Sequence, residues 1–185
     1  EVTFVNIGGI TNITTLWNDN KMLGTDIGPG MCLIDRLVRK ELNKNYDEKG
    51  LIAKSGKINK LVLSKMLKNF YQKENSLNTG TIQSFDTKYF DFSFVKDLFF
   101  KDGIATLTEF TAQIIILALK KKEFNRKQVI LCGGGRKNNF LVDRLKQENK
   151  TIKLIDEYGV DGDFVESQAF AYLAIRSYLR MPISF

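Results

Sequence analysis

Asn6-Ile7-Gly8-Gly9-Ile10-Thr11-Asn12-Ile13-Thr14-Thr15-Leu16-Trp17, followed after a short polar turn by Met22-Leu23-Gly24-Thr25-Asp26-Ile27-Gly28-Pro29-Gly30-Met31, is the stretch that decides the fold of this 185-residue chain. Val2 to Ile7 reads as a strand, Gly8-Gly9 as a tight turn, Ile13 to Trp17 as the returning strand and Asn18-Asp19-Asn20 as a second turn. Lys21 to Thr25 predicts a third strand ending at Asp26, after which Gly28-Pro29-Gly30 breaks the chain and a helix begins near Met31. Glycine lacks a Cβ, so backbone amides at such turns can approach an anion closely. A strand-ending carboxylate beside two glycine turns is a pattern suited to phosphate chemistry. The same residues also suit an ordinary three-stranded meander, whose turns use Gly and Asp for geometry alone.

Downstream, Leu33, Ile34, Leu37, Val38 and Leu42 recur at helical spacing and predict a helix over Met31 to Leu42. Asn43 to Gly50 reads as a polar connection, and Ile58 to Phe70 as a second amphipathic helix. Lys73 to Thr87 reads as a loop, and the aromatic-rich Phe90 to Phe100 as a short helix on the core. Ile104 to Lys121 is the longest predicted helix, with a Lys120-Lys121-Lys122 end that suits the negative helix terminus. Gln128 to Cys132 is a short continuous apolar run of the kind that forms a buried parallel strand, and it ends at Gly133-Gly134-Gly135. Asn138 to Gln147 predicts a helix, Thr151 to Ile155 a strand, Gly159 to Asp163 a turn and Phe164 to Leu179 a final helix. Three meander strands, helices, strand, helix, strand, helix is the ribonuclease-H-like order. The expected fold is α/β, a mixed five-stranded sheet with helices on both faces, whose strand-end loops converge where open α/β sheets bind ligands.

Composition narrows the function. The length fits one domain, or half of a two-domain protein, and the apolar fraction of 43% is ordinary for a globular core. No unbroken apolar run approaches a membrane span, and no signal-peptide pattern is visible. The chain opens on Glu1 directly before a strand, which predicts an excised domain or partial chain. Cys32 and Cys132 have no metal or disulfide spacing and read as buried free thiols in a reducing compartment, hence a cytoplasmic location. Histidine is absent, which excludes imidazole chemistry. The net charge of +7 is spread over scattered lysines without interleaved aromatics, so it reads as a solvated surface rather than a nucleic-acid face.

Five motifs occur in a recognisable order: Val5 to Thr14; Asp26-Ile27-Gly28-Pro29-Gly30; Thr106-Leu107-Thr108 with Thr111-Ala112; Gly133-Gly134-Gly135 with Asn138; and Glu166 to Ala171. Together, from Val2 to Pro182, they resemble the C-terminal part of the anhydro-N-acetylmuramic acid kinases, sugar kinases of the actin and hexokinase superfold. The resemblance implies an actin-like ATPase architecture of two ribonuclease-H-like domains with ATP between them. Residues 1–185 would form the single C-terminal domain, and the N-terminal domain would lie outside this chain. It implies phosphorylation of 1,6-anhydro-N-acetylmuramic acid at O6 with hydrolytic opening of the anhydro bridge. The product, N-acetylmuramic acid 6-phosphate, belongs to peptidoglycan recycling and amino sugar metabolism.

By the same resemblance, Asp26 matches the catalytic base. Gly28, Gly30 and Glu166 match substrate-side positions, and Gly8, Gly9, Gly133, Gly134, Gly135 and Asn138 match nucleotide-binding ones. The cofactor would be ATP with Mg²⁺, whose ligands would lie mainly in the missing domain, so no metal ligand is assigned here. The implied partners are the sugar, ATP and a second copy in a homodimer, with no nucleic acid and no membrane. An isolated fragment would fold without kinase activity. Read from the residues alone, Asp163 and Glu166 are also spaced nearly as a capping box, and Asp35 is either catalytic support or a solvated helix position. Ile27 and Met31 stand where the family usually has Thr and Asn. Lys73 to Gly80 replaces a Pro-Pro-Lys-Ser segment, retaining only Ser76. A non-catalytic actin-like module that binds nucleotide or a partner is the alternative. A nuclease ranks last, because the first strand carries no carboxylate.

Overall fold

Alternation along the strands sorts their side chains onto two faces. In the computed structural model, which describes residues 1–19, 21–76 and 84–183 (74–76 by backbone alone), β1 (Val2–Ile7) pairs antiparallel with β2 (Ile10–Leu16), and β2 with β3 (Met22–Pro29). β1 also pairs parallel with β4 (Gln128–Cys132), and β4 with β5 (Ile152–Leu154). The resulting order, β3-β2-β1-β4-β5, is the mixed five-stranded α/β sheet expected from the order of elements.

Two strand boundaries differ from expectation for one reason. Ile10 pairs with Pro29 and Thr11 with Gly28, so β2 starts earlier and β3 runs on through the glycine-proline segment. A register shift between Thr11 and Asn12 absorbs Ile27 as the extra residue. Pro29 is tolerated because it terminates an edge strand.

Six α-helices occur among the described residues: α1 (Cys32–Leu42), α2 (Leu51–Ser55), α3 (Lys60–Ser76), α4 (Phe100–Lys120), α5 (Asn139–Glu148) and α6 (Val165–Tyr178). α2 lies just beyond the expected polar connection, where the buried Asp47 carboxylate accepts from Ile52 N at 2.8 Å and Ala53 N at 2.9 Å and so caps it. α3 continues through the predicted loop start at Lys73 to Ser76, while 77–83 lie outside the described residues.

The predicted helix over Phe90 to Phe100 does not form. Its aromatic residues are placed by packing instead. Phe90 lies 5.5 Å from Phe85 and 6.3 Å from Phe70 between ring centroids, and Arg36 donates to the Thr87 and Phe90 carbonyls. Only 3-10 turns at Thr87–Tyr89 and Ser93–Val95 remain.

Val5, Ile7, Ile13, Val129 and Leu131 point to one face, which α1 to α5 cover. α4 is the centre of that layer, with Ile104, Leu107, Ile114 and Ile115 fully buried. It is long and apolar enough to cross a membrane, but 83% of that window is buried inside the domain, as befits a core helix. The other face is thin: Ile130, Cys132 and Ile155 gather Val2, Phe4 and Val165 of α6. Cys32 and Cys132 are free and buried, and burial pushes both thiols up to about 11, which makes them unreactive.

Candidate active site

The strand-end loops meet where β1 and β4 run parallel, side by side. In the Gly8-Gly9 turn, the carbonyls face the start of α1: Met31 N donates to Gly8 O at 2.8 Å, and Gly30 N and Cys32 N donate to Gly9 O at 2.9 and 3.2 Å. Orphan amides at the N-terminus of α1 are thereby satisfied. Gly30 has no room for a side chain, since a Cβ would lie 2.3 Å from Gly8 O. The Gly9 amide makes no hydrogen bond among the described residues.

Across the gap, the loop after β4 forms a 3-10 turn over Gly134–Lys137, and Asn138 then caps α5 by accepting from Leu141 N at 3.0 Å. The first amides of such a turn have no internal partner. The two loops bound a cavity of about 360 Å³ whose lining includes Gly8, Gly9, Asp35, Gly134, Gly135 and Asn138. Asn138 is only 3% exposed, and its amide nitrogen Nδ2 is buried without a partner among the described residues. An unsatisfied buried donor costs about 1–3 kcal/mol. Gly133 stands behind the lining, in a left-handed conformation with φ +77°, because a Cβ would meet Asn6 Oδ1 and Ile7 O.

Asp35, whose role the residues alone left open, faces this cavity. Its Oδ1 is buried without a partner among the described residues. Burial pushes the carboxyl up to about 6 from 3.8, opposed by Arg39 and reinforced by Asp47. The signal in the sequence was its place in the first turn of the helix that follows Gly30; nothing local said that the turn would close over it.

The remaining site residues lie apart from the glycine cavity. Asp26 is half-buried on β3, where its Oδ2 accepts from Phe85 N at 2.8 Å and its Oδ1 has no partner among the described residues. A carboxylate held by one oxygen and open at the other suits a general base. Gly28 is buried with φ +146°, and a Cβ there would lie 3.0 Å from Phe70 Cζ and 3.1 Å from Ile114 Cγ2, so packing alone demands glycine. Ile27 and Met31 are core residues, 8% and 9% exposed; at Ile27 a polar side chain would have to enter the core.

Glu166 is exposed in the first turn of α6 and makes no hydrogen bond or ion pair among the described residues. The capping-box reading fails here, because α6 has no side-chain cap and Asp163 is engaged by Arg136 at 3.0 Å and by Lys137. Arg136 itself is buried and holds Asp156 through two bonds of 2.8 and 3.1 Å and the Gly133 carbonyl at 3.0 Å. That hydrogen-bonded guanidinium lowers the Asp156 carboxyl to about 2. Arg136 therefore ties the glycine loop to the segment that launches α6, a link invisible in the sequence.

The β3-β2-β1-β4-β5 sheet, with glycine turns at the ends of β1 and β4 bounding a cavity, defines a ribonuclease-H-like α/β domain. The sequence model of the anhydro-N-acetylmuramic acid kinases matches residues 1–185, and the chain belongs to that family. Named relatives agree. It is 45% identical to the anhydro-N-acetylmuramic acid kinase of Pelagibacter ubique, over 98% of this chain and 50% of that protein. It is 38% identical to the enzyme of Hahella chejuensis over 96% and 49%, and 33% identical to that of Caulobacter vibrioides over 100% and 48%. The chain thus spans about half the length of the curated relatives it matches. One solved structure, the activator of the 2-hydroxyisocaproyl-CoA dehydratase from Clostridium difficile with bound ADPNP, overlaps at a TM-score of 0.47 and 16% identity, over 82% of this chain and 53% of that one. That likeness is too loose to carry weight.

Proposed function

We propose that this chain is the C-terminal half of a cytoplasmic kinase that phosphorylates 1,6-anhydro-N-acetylmuramic acid at O6, using ATP, and opens the anhydro bridge with water. The observation that carries the reading is the cavity bounded by the Gly8-Gly9 and Gly134-Gly135 turns, with Asp35 and Asn138 in its lining. Free backbone amides there would hold phosphate oxygens, which is how positioned donors stabilise phosphoryl transfer. Family membership supplies the sugar.

In this scheme Asp26 takes a proton from the water that attacks the anomeric carbon. The bond from that carbon to O6 breaks, O6 bonds to the γ-phosphorus, and ADP leaves. Oδ2 is held by Phe85 N, so Oδ1 would be the atom that takes the proton. Glu166, exposed and uncapped, would bind sugar hydroxyls. Among the described residues no group of three His, Cys, Asp or Glu is placed to hold a metal. By the resemblance, Mg²⁺ would be held mainly by residues outside this chain and would supply neutralisation of the phosphate charge. By resemblance the full-length enzyme is a homodimer.

The test uses the full-length protein with ATP, Mg²⁺ and the anhydro sugar in ¹⁸O-water. The expected product is the 6-phosphate carrying one ¹⁸O at the anomeric hydroxyl. Absence of a phosphorylated product overturns the reading, and a product without ¹⁸O overturns the role given to water.

A further inference from the structure

α6 is a helix without a core. None of its residues is fully buried, and among the described residues no strand or other helix lies extensively along it. Among the described residues its contact with the small cluster of Ile130, Cys132 and Ile155 is made by the half-buried Val165, and Leu173 and Arg176 are the other half-buried positions of the helix. Yet Phe164, Ala171, Tyr172, Ile175, Tyr178 and Leu179 fall at i, i+7, i+8, i+11, i+14 and i+15, along one side of the segment that is interrupted only by the polar Ser167 and Gln168 at i+3 and i+4. All six are exposed, Ile175 to 61% and Tyr178 to 87%. From Phe164 to Phe185 the only charged residues are Glu166, Arg176 and Arg180. An isolated 14-residue helix is marginal in water, and helical stability normally comes from packing an apolar face. An aromatic stripe of this length left in solvent marks an interface.

We infer that this stripe is the seat of the half of the full-length polypeptide that the present chain lacks, so that α6 carries the contact between the two halves. The inference rests on the reading of the chain as one half of a kinase. Two observations choose this occupant over others. Relatives carry about as much chain outside the matched region as within it, since the match covers 50%, 49% and 48% of their lengths. The stripe also starts next to Asp163, which lines the glycine cavity. A half that closes over that cavity therefore comes within reach of α6. Arg136, through Asp163, fixes the root of the helix to the glycine loop. Docking on α6 would thus bear directly on the position of the nucleotide loop.

The experiment is hydroxyl-radical footprinting of the wild-type full-length protein, read by peptide mass spectrometry at Tyr172, Tyr178 and Met181. N-acetyltyrosine amide and N-acetylmethionine amide serve as standards in the same solution, and the oligomeric state is measured at each concentration by light scattering. The expected result is roughly tenfold slower oxidation than the standards at concentrations where the protein is monomeric. Oxidation as fast as the standards overturns the inference. Protection that appears only with dimerisation assigns the stripe to a second copy and also overturns it, as does protection that requires added phospholipid vesicles. Footprinting is read without turnover, so a failed docking and a failed kinase assignment are separate results.

Discussion

Gly135 rests directly on Ile7: a Cβ added to Gly135 would lie 2.3 Å from Ile7 Cγ2 and 2.8 Å from its Cβ. Gly134, one residue earlier, meets nothing within 4 Å. Two neighbouring glycines therefore have different reasons to be glycine. Gly135→Ala should cost about 1–3 kcal/mol by overpacking β1. Gly134→Ala should stay within about 0.5 kcal/mol of wild type, while raising the KM for ATP by crowding the phosphates. Urea unfolding and initial rates separate the two; equal destabilisation would remove the ligand-facing role of Gly134.

Asp26→Asn keeps an oxygen for Phe85 N and removes the base. In the full-length enzyme, turnover should fall about a hundredfold or more with little change in either KM. A near-normal kcat would sink the catalytic assignment.

At Glu166 the structure sharpens the expectation. With no cap to lose, Glu166→Gln should leave the Tm unchanged and raise the KM for the sugar. A drop in Tm with unchanged kinetics would return Glu166 to a structural role.

Asp35 sets a pH dependence. Its folded carboxyl titrates near 6 and its ordinary value is 3.8, so the folded state holds the extra proton between those values. Stability contributed by this group is present below about pH 3.8 and is lost as pH rises through 6. Asp35→Asn should raise stability at pH 8 by about 1 kcal/mol once solvent screening is allowed for, and do little at pH 3. Thermal unfolding at the two pH values checks the sign.

Arg136→Met removes a buried guanidinium shared by Asp156 and Asp163. Both carboxylates are partly exposed and can rehydrate, so a loss of about 1–3 kcal/mol is expected. Because the Asp156 carboxyl is lowered to about 2, wild type should lose stability as pH falls from 4 towards 2, and the variant should show less of that loss. The freed Gly133–Lys137 loop should raise the KM for ATP more than it lowers kcat; a pure kcat effect would contradict a positioning role.

What the sequence determined by itself is the sheet and its glycine ends. Period-two alternation in β1 and β2, and the unbroken run Gln128 to Cys132, are local signals that burial on one or both faces imposes. The glycines were legible because turns and close approaches leave few alternatives. Tertiary structure alone decided the rest. Phe90 to Phe100 looked helical in composition, but packing of Phe90 on Phe70, twenty residues earlier, and bonds from Arg36 to the Thr87 and Phe90 carbonyls hold it as turns. Asp163 and Glu166 had the spacing of a cap, but Arg136, nearly thirty residues earlier, claims Asp163. Asp35 became a cavity residue because α1 is docked on the Gly8 and Gly9 carbonyls. In each case the deciding partner lies far along the chain, and its attraction exceeds the small local preferences, of at most about 1 kcal/mol per residue, that a sequence displays.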